Sequence, residues 1–203
     1  MVARRDFLEN IVDYILKKMN KNNYIPQDIN LFKYGLNIFI RYIIFFLTIF
    51  FITSFCGNFI NVLLFDFTLI VLRFHCGGYH SENIYTCFFL SVFAMAVLPQ
   101  ILVRININKV INFFITELFI MLQIIKKPIK NIKKIYDKQF IKKMKIRKTI
   151  ILVIINIIYL FLLYYDCNLG KMVTYACGIN YLSMLNVIIL KWKGDNKDVC
   201  VFR

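Results

Sequence analysis

The sequence predicts an all-α membrane protein: a polytopic integral helical bundle of about six transmembrane helices, preceded by an N-terminal amphipathic interfacial helix. Of its 203 residues, 60% are hydrophobic and the mean hydropathy is +0.64, whereas in soluble domains roughly half of the residues are apolar. Lys and Arg number 26 against 11 Asp and Glu. A basic excess on so apolar a chain indicates membrane topology and a bilayer with anionic lipid, and nucleic acid is not expected as a partner.

Six apolar stretches are candidates to cross the hydrocarbon core of a bilayer, which is about 30 Å thick. They cover residues 36–55, 59–72, 84–103, 110–125, 149–165 and 172–190. The second and fourth stretches are short. At about 1.5 Å per residue the second covers only about 21 Å, so it must recruit its polar flanks, thin the bilayer or re-enter.

The distribution of positive charge tests this arrangement independently. With the N-terminus inside, the cytoplasmic segments hold twenty-two Lys or Arg, and the external connections hold three, namely Arg104, Lys109 and Lys171. Because cytoplasmic segments carry the excess of Lys and Arg, both termini are expected to be cytoplasmic. Residues 1–34 then form a cytoplasmic N-terminal segment, and residues 35–203 form the transmembrane domain.

The N-terminal segment carries apolar residues at helical spacing between Arg4 and Asn23. This pattern predicts an amphipathic helix on the inner leaflet, with packing against the cytoplasmic end of the bundle as the alternative. Arg4 and Arg5 are followed by a mixed sequence with acidic residues rather than by an apolar core. A cleavable signal peptide is therefore not expected.

The stretch RFHCGGYHSENIYTC, residues 73–87, contains both histidines and two of the six cysteines. Gly77 and Gly78 are expected to end the helix of the second span, because glycine permits positive φ angles and the close approach of another backbone. Ser81 can cap a helix that continues into the third span. His80 would then lie on non-helical backbone at the start of that helix.

Cys87, about two turns inside that helix, can form a nucleophilic pair with His80 if the chain folds back. On one straight helix the two residues would be about 10 Å apart, whereas an imidazole must come within about 3 Å of a thiol to take its proton. The diglycine supplies the freedom for this return. A thiolate paired with an imidazolium attacks a peptide carbonyl to give a thioester, which can pass its acyl group to a second thiol.

The same residue types also have ordinary structural interpretations. A lone Cys in a transmembrane helix usually fills space, and a His at the membrane interface is often structural. His75 and Cys76 form a second pair, which is disfavoured because adjacent residues on a regular backbone point apart. A metal site built from His75, Cys76, His80 and Cys87 matches no compact zinc pattern, so no metal or cofactor is expected.

Arg73, Gly77, Gly78, His80 and Cys87, at their spacing, resemble the signature of the accessory gene regulator B (AgrB) family, membrane peptidases that process quorum-sensing propeptides. Length, apolar character and basic loop are also similar. The resemblance implies Cys87 as the nucleophile and His80 as its base, cutting an AgrD-like propeptide on the C-terminal side of the future signal. A substrate thiol or hydroxyl then captures the acyl-enzyme as a thiolactone or lactone. A homodimer in a bacterial cell membrane is also implied.

The basic loop, residues 126–148, carries eleven cations and one acid, Asp137. Topogenic charge and lipid binding explain this loop without any ligand. The family resemblance implies an AgrD-like substrate with an amphipathic helix, a short signal and an acidic C-terminal tail. The cations of the loop would then have a second role, which is to bind that acidic tail. The candidates for substrate binding are Lys126, Lys127, Lys130, Lys133 and Lys134.

Asp66 and Glu117 lie within apolar runs, where an unpaired charge is costly, so each is expected to face the bundle interior with a partner. For Asp66, an ion pair with Arg73 or a protonated, neutral carboxyl is the ordinary expectation. The functional alternative is that Asp66, or Glu82, which is nearer in sequence, orients His80 as a third catalytic member.

A rival hypothesis is a non-enzymatic polytopic transporter or signalling scaffold, in which the diglycine stretch is only a turn. A neighbouring reading frame for a small peptide with an amphipathic start, a central Cys or Ser and an acidic end would favour the enzyme.

Overall fold

A computed structural model describes residues 7–21, 28–79, 84–126, 128 and 137–192. Over these residues the chain is helical, with no strand, so the predicted all-α class is confirmed. The chain divides into two compact units, residues 1–51 and residues 52–203.

The helices follow one another along the chain with short connections. They are α1 (Phe7–Lys21), α2 (Ile29–Cys56), α3 (Phe59–Cys76), α4 (Ile84–Val92), a π-helical turn (Phe93–Val97), α5 (Leu98–Val103), α6 (Lys109–Ile125), α7 (Lys138–Tyr165) and α8 (Cys167–Trp192). Asn108 caps α6, because its side-chain oxygen accepts a hydrogen bond from the Val110 amide. Asp166 starts α8 in the same way, by accepting from the Asn168 amide.

The first unit consists of α1 and most of α2. An ion pair between Lys33 and Asp13 links the two helices. Large apolar side chains such as Phe39, Phe46 and Phe51 are exposed along α2, as suits a helix that faces lipid. The helix α1 is present where an amphipathic helix was expected, and its place on the inner leaflet stays a prediction.

Five helical segments among the described residues are long and apolar enough to cross a membrane. They are Ile29–Phe55, Phe59–Cys76, Thr86–Val103, Lys138–Tyr165 and Cys167–Ile189. The second span is longer than expected, because α3 continues past residue 72 to Cys76. The helix α6 has 17 residues, about 25 Å at 1.5 Å per residue, and is shorter than each of these five segments. The chain is a multi-pass membrane protein, and a sixth crossing by α6 stays a prediction.

The core of the second unit lies around α8, which is the most buried of the five spans. Apolar side chains of α3, α6, α7 and α8 form one cluster. Its fully buried members include Leu72, Leu152, Tyr159, Met184 and Val187.

Polar side chains are buried between α6 and α8 as well. The hydroxyls of Thr116 and Thr174 are 2.6 Å apart, and Thr174 also donates to Asn112 Oδ1 at 2.6 Å. Further along, Gln123 donates to the Cys177 carbonyl at 2.9 Å. Interhelical hydrogen bonds inside membrane bundles contribute about 0.6 kcal/mol on average and up to roughly 2 kcal/mol. Because they are directional, these bonds fix the register of α6 against α8.

Lys148 of α7 is fully buried at 0% exposure. Its ammonium donates to the backbone carbonyls of Gln123 at 2.7 Å, Ile124 at 3.4 Å and Lys126. These carbonyls belong to the last turn of α6 and its C-terminal cap, where a helix leaves acceptors unpaired and carries partial negative charge. One cation of the basic loop is therefore a structural cap that holds the end of α6 against α7.

We predict that Lys148→Met lowers the apparent Tm of the detergent-solubilised protein by about 3–10 °C. Hydrogen bonds to a charged group contribute roughly 1.5–3 kcal/mol, and each kcal/mol is worth about 2–4 °C at this chain length. Lys143→Met, at an exposed position of the same helix, is the control and should shift the Tm by no more than about 1 °C. Equal shifts for the two variants would show that the buried ammonium has no special role.

The sixth crossing has its own test. In a variant without native cysteines, Asn168→Cys should react with a membrane-impermeant maleimide on intact cells, because Asn168 would lie outside. Lys138→Cys should react only after permeabilisation. Labelling of Lys138→Cys in intact cells would overturn the six-crossing topology and separate the basic loop from the diglycine stretch.

Candidate active site

The diglycine ends α3 by a backbone conformation that only glycine adopts readily. The last helical residue is Cys76, and Gly77 has a φ of 80° and a ψ of 177°, a region that is essentially restricted to glycine. The Gly77 amide still donates to the Arg73 carbonyl at 3.0 Å. The helix therefore closes its last turn and then changes direction, as the sequence predicted.

At Gly78 the reason for glycine is different, because a side chain there would contact Ser183 of α8. A Cβ atom added at Gly78 would lie 2.7 Å from Ser183 Oγ, closer than real Cβ contacts. The neighbour that approaches is thus a side chain, and not the backbone that the sequence led us to expect. The same Ser183 Oγ accepts a hydrogen bond from the Tyr79 amide at 2.8 Å.

Cys87 lies in the first turn of α4, is half-buried and is not part of a disulfide. Arg73, in the last turn of α3, lies within electrostatic range of Cys87. The Arg73 Nε atom is buried, and no acceptor among the described residues lies within hydrogen-bond distance of it. The fold therefore brings two of the five motif positions together, across a turn formed by two others, Gly77 and Gly78.

Several of the predicted site residues lie outside the residues that the structure describes. These are His80, Glu82, Lys127, Lys130, Lys133 and Lys134. Their assigned roles stay predictions. Of the candidate substrate-binding lysines, Lys126 is described: it is half-buried, and its carbonyl accepts from Lys148 Nζ.

The second Cys–His pair, His75 and Cys76, does not present a reactive thiol. His75 Nδ1 lies 2.9 Å from the Val71 carbonyl of its own helix, while Cys76 is fully buried in the core cluster with Cys177. Buried structural cysteines are inert compared with partly exposed ones beside a cation. Within the described ranges, no group of three metal-ligating side chains comes together.

The two acids within apolar runs have different environments. Glu117 accepts a hydrogen bond from Asn156 at 3.3 Å, so the expected partner is present. Asp66 is 9% exposed, and its Oδ1 atom has no hydrogen-bond partner in the described part of the chain. Among the described residues no ion pair joins Asp66 to Arg73, so of the two expectations for Asp66 the protonated, neutral carboxyl stays. The role of Asp66 in orienting His80 stays a prediction.

Sequence reasoning missed Ser183 and the cap formed by Lys148. Ser183 is one hydroxyl in an apolar run about a hundred positions from the motif, and no local pattern marks it. Lys148 is one of eleven cations in the basic loop, and only its position at the start of an apolar run distinguishes it.

These features define a multi-pass helical membrane protein in which one helix ends at a diglycine after a basic side chain and the next helix begins with a half-buried cysteine. The sequence model of the accessory gene regulator B family matches residues 8–190, and the chain belongs to this family. The family functions in the agr quorum-sensing system, where it acts with an AgrD propeptide and is linked to its processing. No curated protein and no solved structure matches the chain.

Proposed function

We propose that this protein is a membrane-embedded cysteine endopeptidase that cleaves the C-terminal part of an AgrD-like propeptide and promotes closure of a thiolactone or lactone ring. The observation that carries the proposal is the half-buried Cys87 in the first turn of α4, at the motif position of a chain that belongs to this family, whereas Cys76 is fully buried. A partly exposed cysteine within electrostatic range of a cation, here Arg73, is the environment typical of a nucleophilic thiolate.

In the proposed reaction, His80 takes the proton of the Cys87 thiol, and the thiolate attacks the carbonyl carbon of the scissile peptide bond. The tetrahedral intermediate collapses as His80 returns the proton to the leaving amine. The C-terminal fragment departs, and the N-terminal fragment stays on Cys87 as a thioester. A substrate thiol or hydroxyl then gives up its proton and attacks the thioester carbonyl, which closes the ring and regenerates the Cys87 thiol.

Arg73 has a role of its own in this reaction. A cation in a site of low dielectric stabilises a neighbouring thiolate more than it would in water. Its buried Nε–H has no acceptor among the described residues, so it is available to the oxyanion that forms on the attacked carbonyl. Removal of one such donor typically lowers kcat by about 10²–10³.

The remaining parts of the proposal concern the surroundings of the site. The protein is a homodimer of the bacterial cell membrane with both termini cytoplasmic, and its basic loop receives the acidic tail of the propeptide on the same face as Cys87. Lys126 leads from the end of α6 into this loop. The anchoring of its carbonyl by Lys148 supports a loop that starts at a fixed position.

The test is cleavage of a synthetic propeptide by purified protein in proteoliposomes. Cys87→Ala and His80→Ala should lower the cleavage rate by at least about 10³, since each removes a group that takes part in bond making. Arg73→Met should lower kcat by about 10²–10³. Cys76→Ala is the matched control, because Cys76 is buried in the core, and it should retain activity.

Insertion of each variant should be verified by size-exclusion chromatography in detergent before its rate is interpreted. Cleavage at the wild-type rate by correctly folded Cys87→Ala would refute the assignment of the nucleophile, and with it the proposed enzyme class.

A further inference from the structure

We infer that Ser183 of α8 is a positioning residue for the proposed active site, and that its hydroxyl disfavours any side chain at position 78. The inference rests on the proposed function and names a residue outside the sequence motif. Ser183 lies more than a hundred positions beyond Gly78, yet it makes the closest approach to that glycine and binds the amide of the next residue.

The contact at Gly78 is steric and specific to one atom. An added Cβ would lie 2.7 Å from Ser183 Oγ, but 3.6 Å from Ser183 Cβ and 3.8 Å from Arg73 Nε. Only the first of these distances is below the contact limit, and the other two are ordinary van der Waals separations. Removal of the Ser183 hydroxyl alone would therefore make room for an alanine at position 78.

The same hydroxyl also fixes the turn, because it accepts a hydrogen bond from the Tyr79 amide. After α3 ends, the Tyr79 amide needs an acceptor, because in a membrane an unsatisfied backbone group costs several kcal/mol. Ser183 Oγ supplies that acceptor at 2.8 Å, and Ser183 is 8% exposed, so water does not replace it readily. The Tyr79 side chain packs against the core cluster at the same point.

The position of this anchor connects it to the chemistry. Tyr79 is followed directly by His80, the proposed base, and a Cβ at Gly78 would lie 3.8 Å from Arg73 Nε. A fixed Tyr79 amide limits where the chain can carry the imidazole relative to Cys87. Since a misplacement of about 1 Å can cost about 10² in rate, loss of the anchor should lower kcat and leave propeptide binding largely unchanged.

Substitutions at the two glycines should therefore differ in how they respond to removal of the Ser183 hydroxyl. Gly77 is needed for its positive φ, which removal of a distant hydroxyl cannot change. Gly78 is needed because of the hydroxyl itself. A second mutation, Ser183→Ala, should rescue Gly78→Ala and should not rescue Gly77→Ala.

The experiment is a double-mutant cycle in proteoliposomes, with kcat and KM for a synthetic propeptide measured on Gly78→Ala, Ser183→Ala and the double variant. We expect kcat to fall by about 10²-fold or more in Gly78→Ala and by about 3–10-fold in Ser183→Ala, the range for loss of one neutral hydrogen bond. The double variant should resemble Ser183→Ala, a strongly non-additive result. KM should change by less than about twofold for Ser183→Ala.

Two controls separate positioning from general stability. Thr174→Val removes an equally buried hydroxyl from the same helix, in the bonds to Asn112 and Thr116, and should lower the Tm without lowering kcat. Gly77→Ala with and without Ser183→Ala should be equally impaired. If Gly78→Ala does not fold, recovery of folded protein in the double variant, measured by size-exclusion chromatography, tests the steric part, and kcat of Ser183→Ala tests the positioning part.

The outcomes also separate this inference from the proposed function. Cleavage by folded Cys87→Ala at the wild-type rate would remove the proposed function itself. Loss of cleavage in Cys87→Ala, together with a double variant as impaired as Gly78→Ala or worse, would leave the enzyme in place and refute the role of Ser183. An unchanged kcat in Ser183→Ala would refute positioning in the same way.

Discussion

The packing of α8 among α3, α6 and α7 is the constraint on which the rest of the structure depends. Lipid offers no hydrogen bonds, so every backbone and side-chain polar group inside the bundle must find a partner within the protein. The helix α8 supplies several of them: Thr174 to Asn112, the Cys177 carbonyl to Gln123, and Ser183 to the turn after α3. One helix thus sets the register of α6 and the path of the diglycine turn.

Two cations, Lys148 and Arg73, have different environments in the bundle. Lys148 is enclosed by carbonyl oxygens at the end of α6, so its charge is balanced by helix acceptors and serves stability. Arg73 lies within electrostatic range of Cys87, and its buried Nε–H has no described acceptor. A donor kept without a partner is costly in a packed interior, and under the proposed function a reacting group would use it.

The sequence predicted the parts of this structure that depend on local patterns. Apolar windows identified α2, α3 and α8 as spans. The diglycine predicted the end of α3, because glycine adopts positive φ angles more readily than other residues. The apolar window ended the second span at residue 72, whereas α3 continues to Cys76, whose side chain packs in the core cluster. Helical spacing also left the partner of Asp66 open, and among the described residues no ion pair joins it to Arg73.

Partners that are distant along the chain could not be predicted from the sequence, for a physical reason. Ser183 and Lys148 acquire their roles from three-dimensional proximity, and a single hydroxyl or one lysine among eleven carries no periodic signal. The motif residues themselves were found because their spacing within fifteen positions is a local property. The fold adds which of them meet and which helix holds the turn in place.

The central claim is that Cys87 carries the substrate as a thioester, and mass spectrometry of acid-quenched protein tests it most directly. The propeptide should have its ring-closing residue replaced by alanine, so that the intermediate accumulates. The account predicts that wild-type protein gains the mass of the N-terminal fragment, that the adduct maps to the peptide containing Cys87, and that hydroxylamine removes it. Rapid cleavage with no adduct on the protein, or an adduct on another cysteine, would contradict the account.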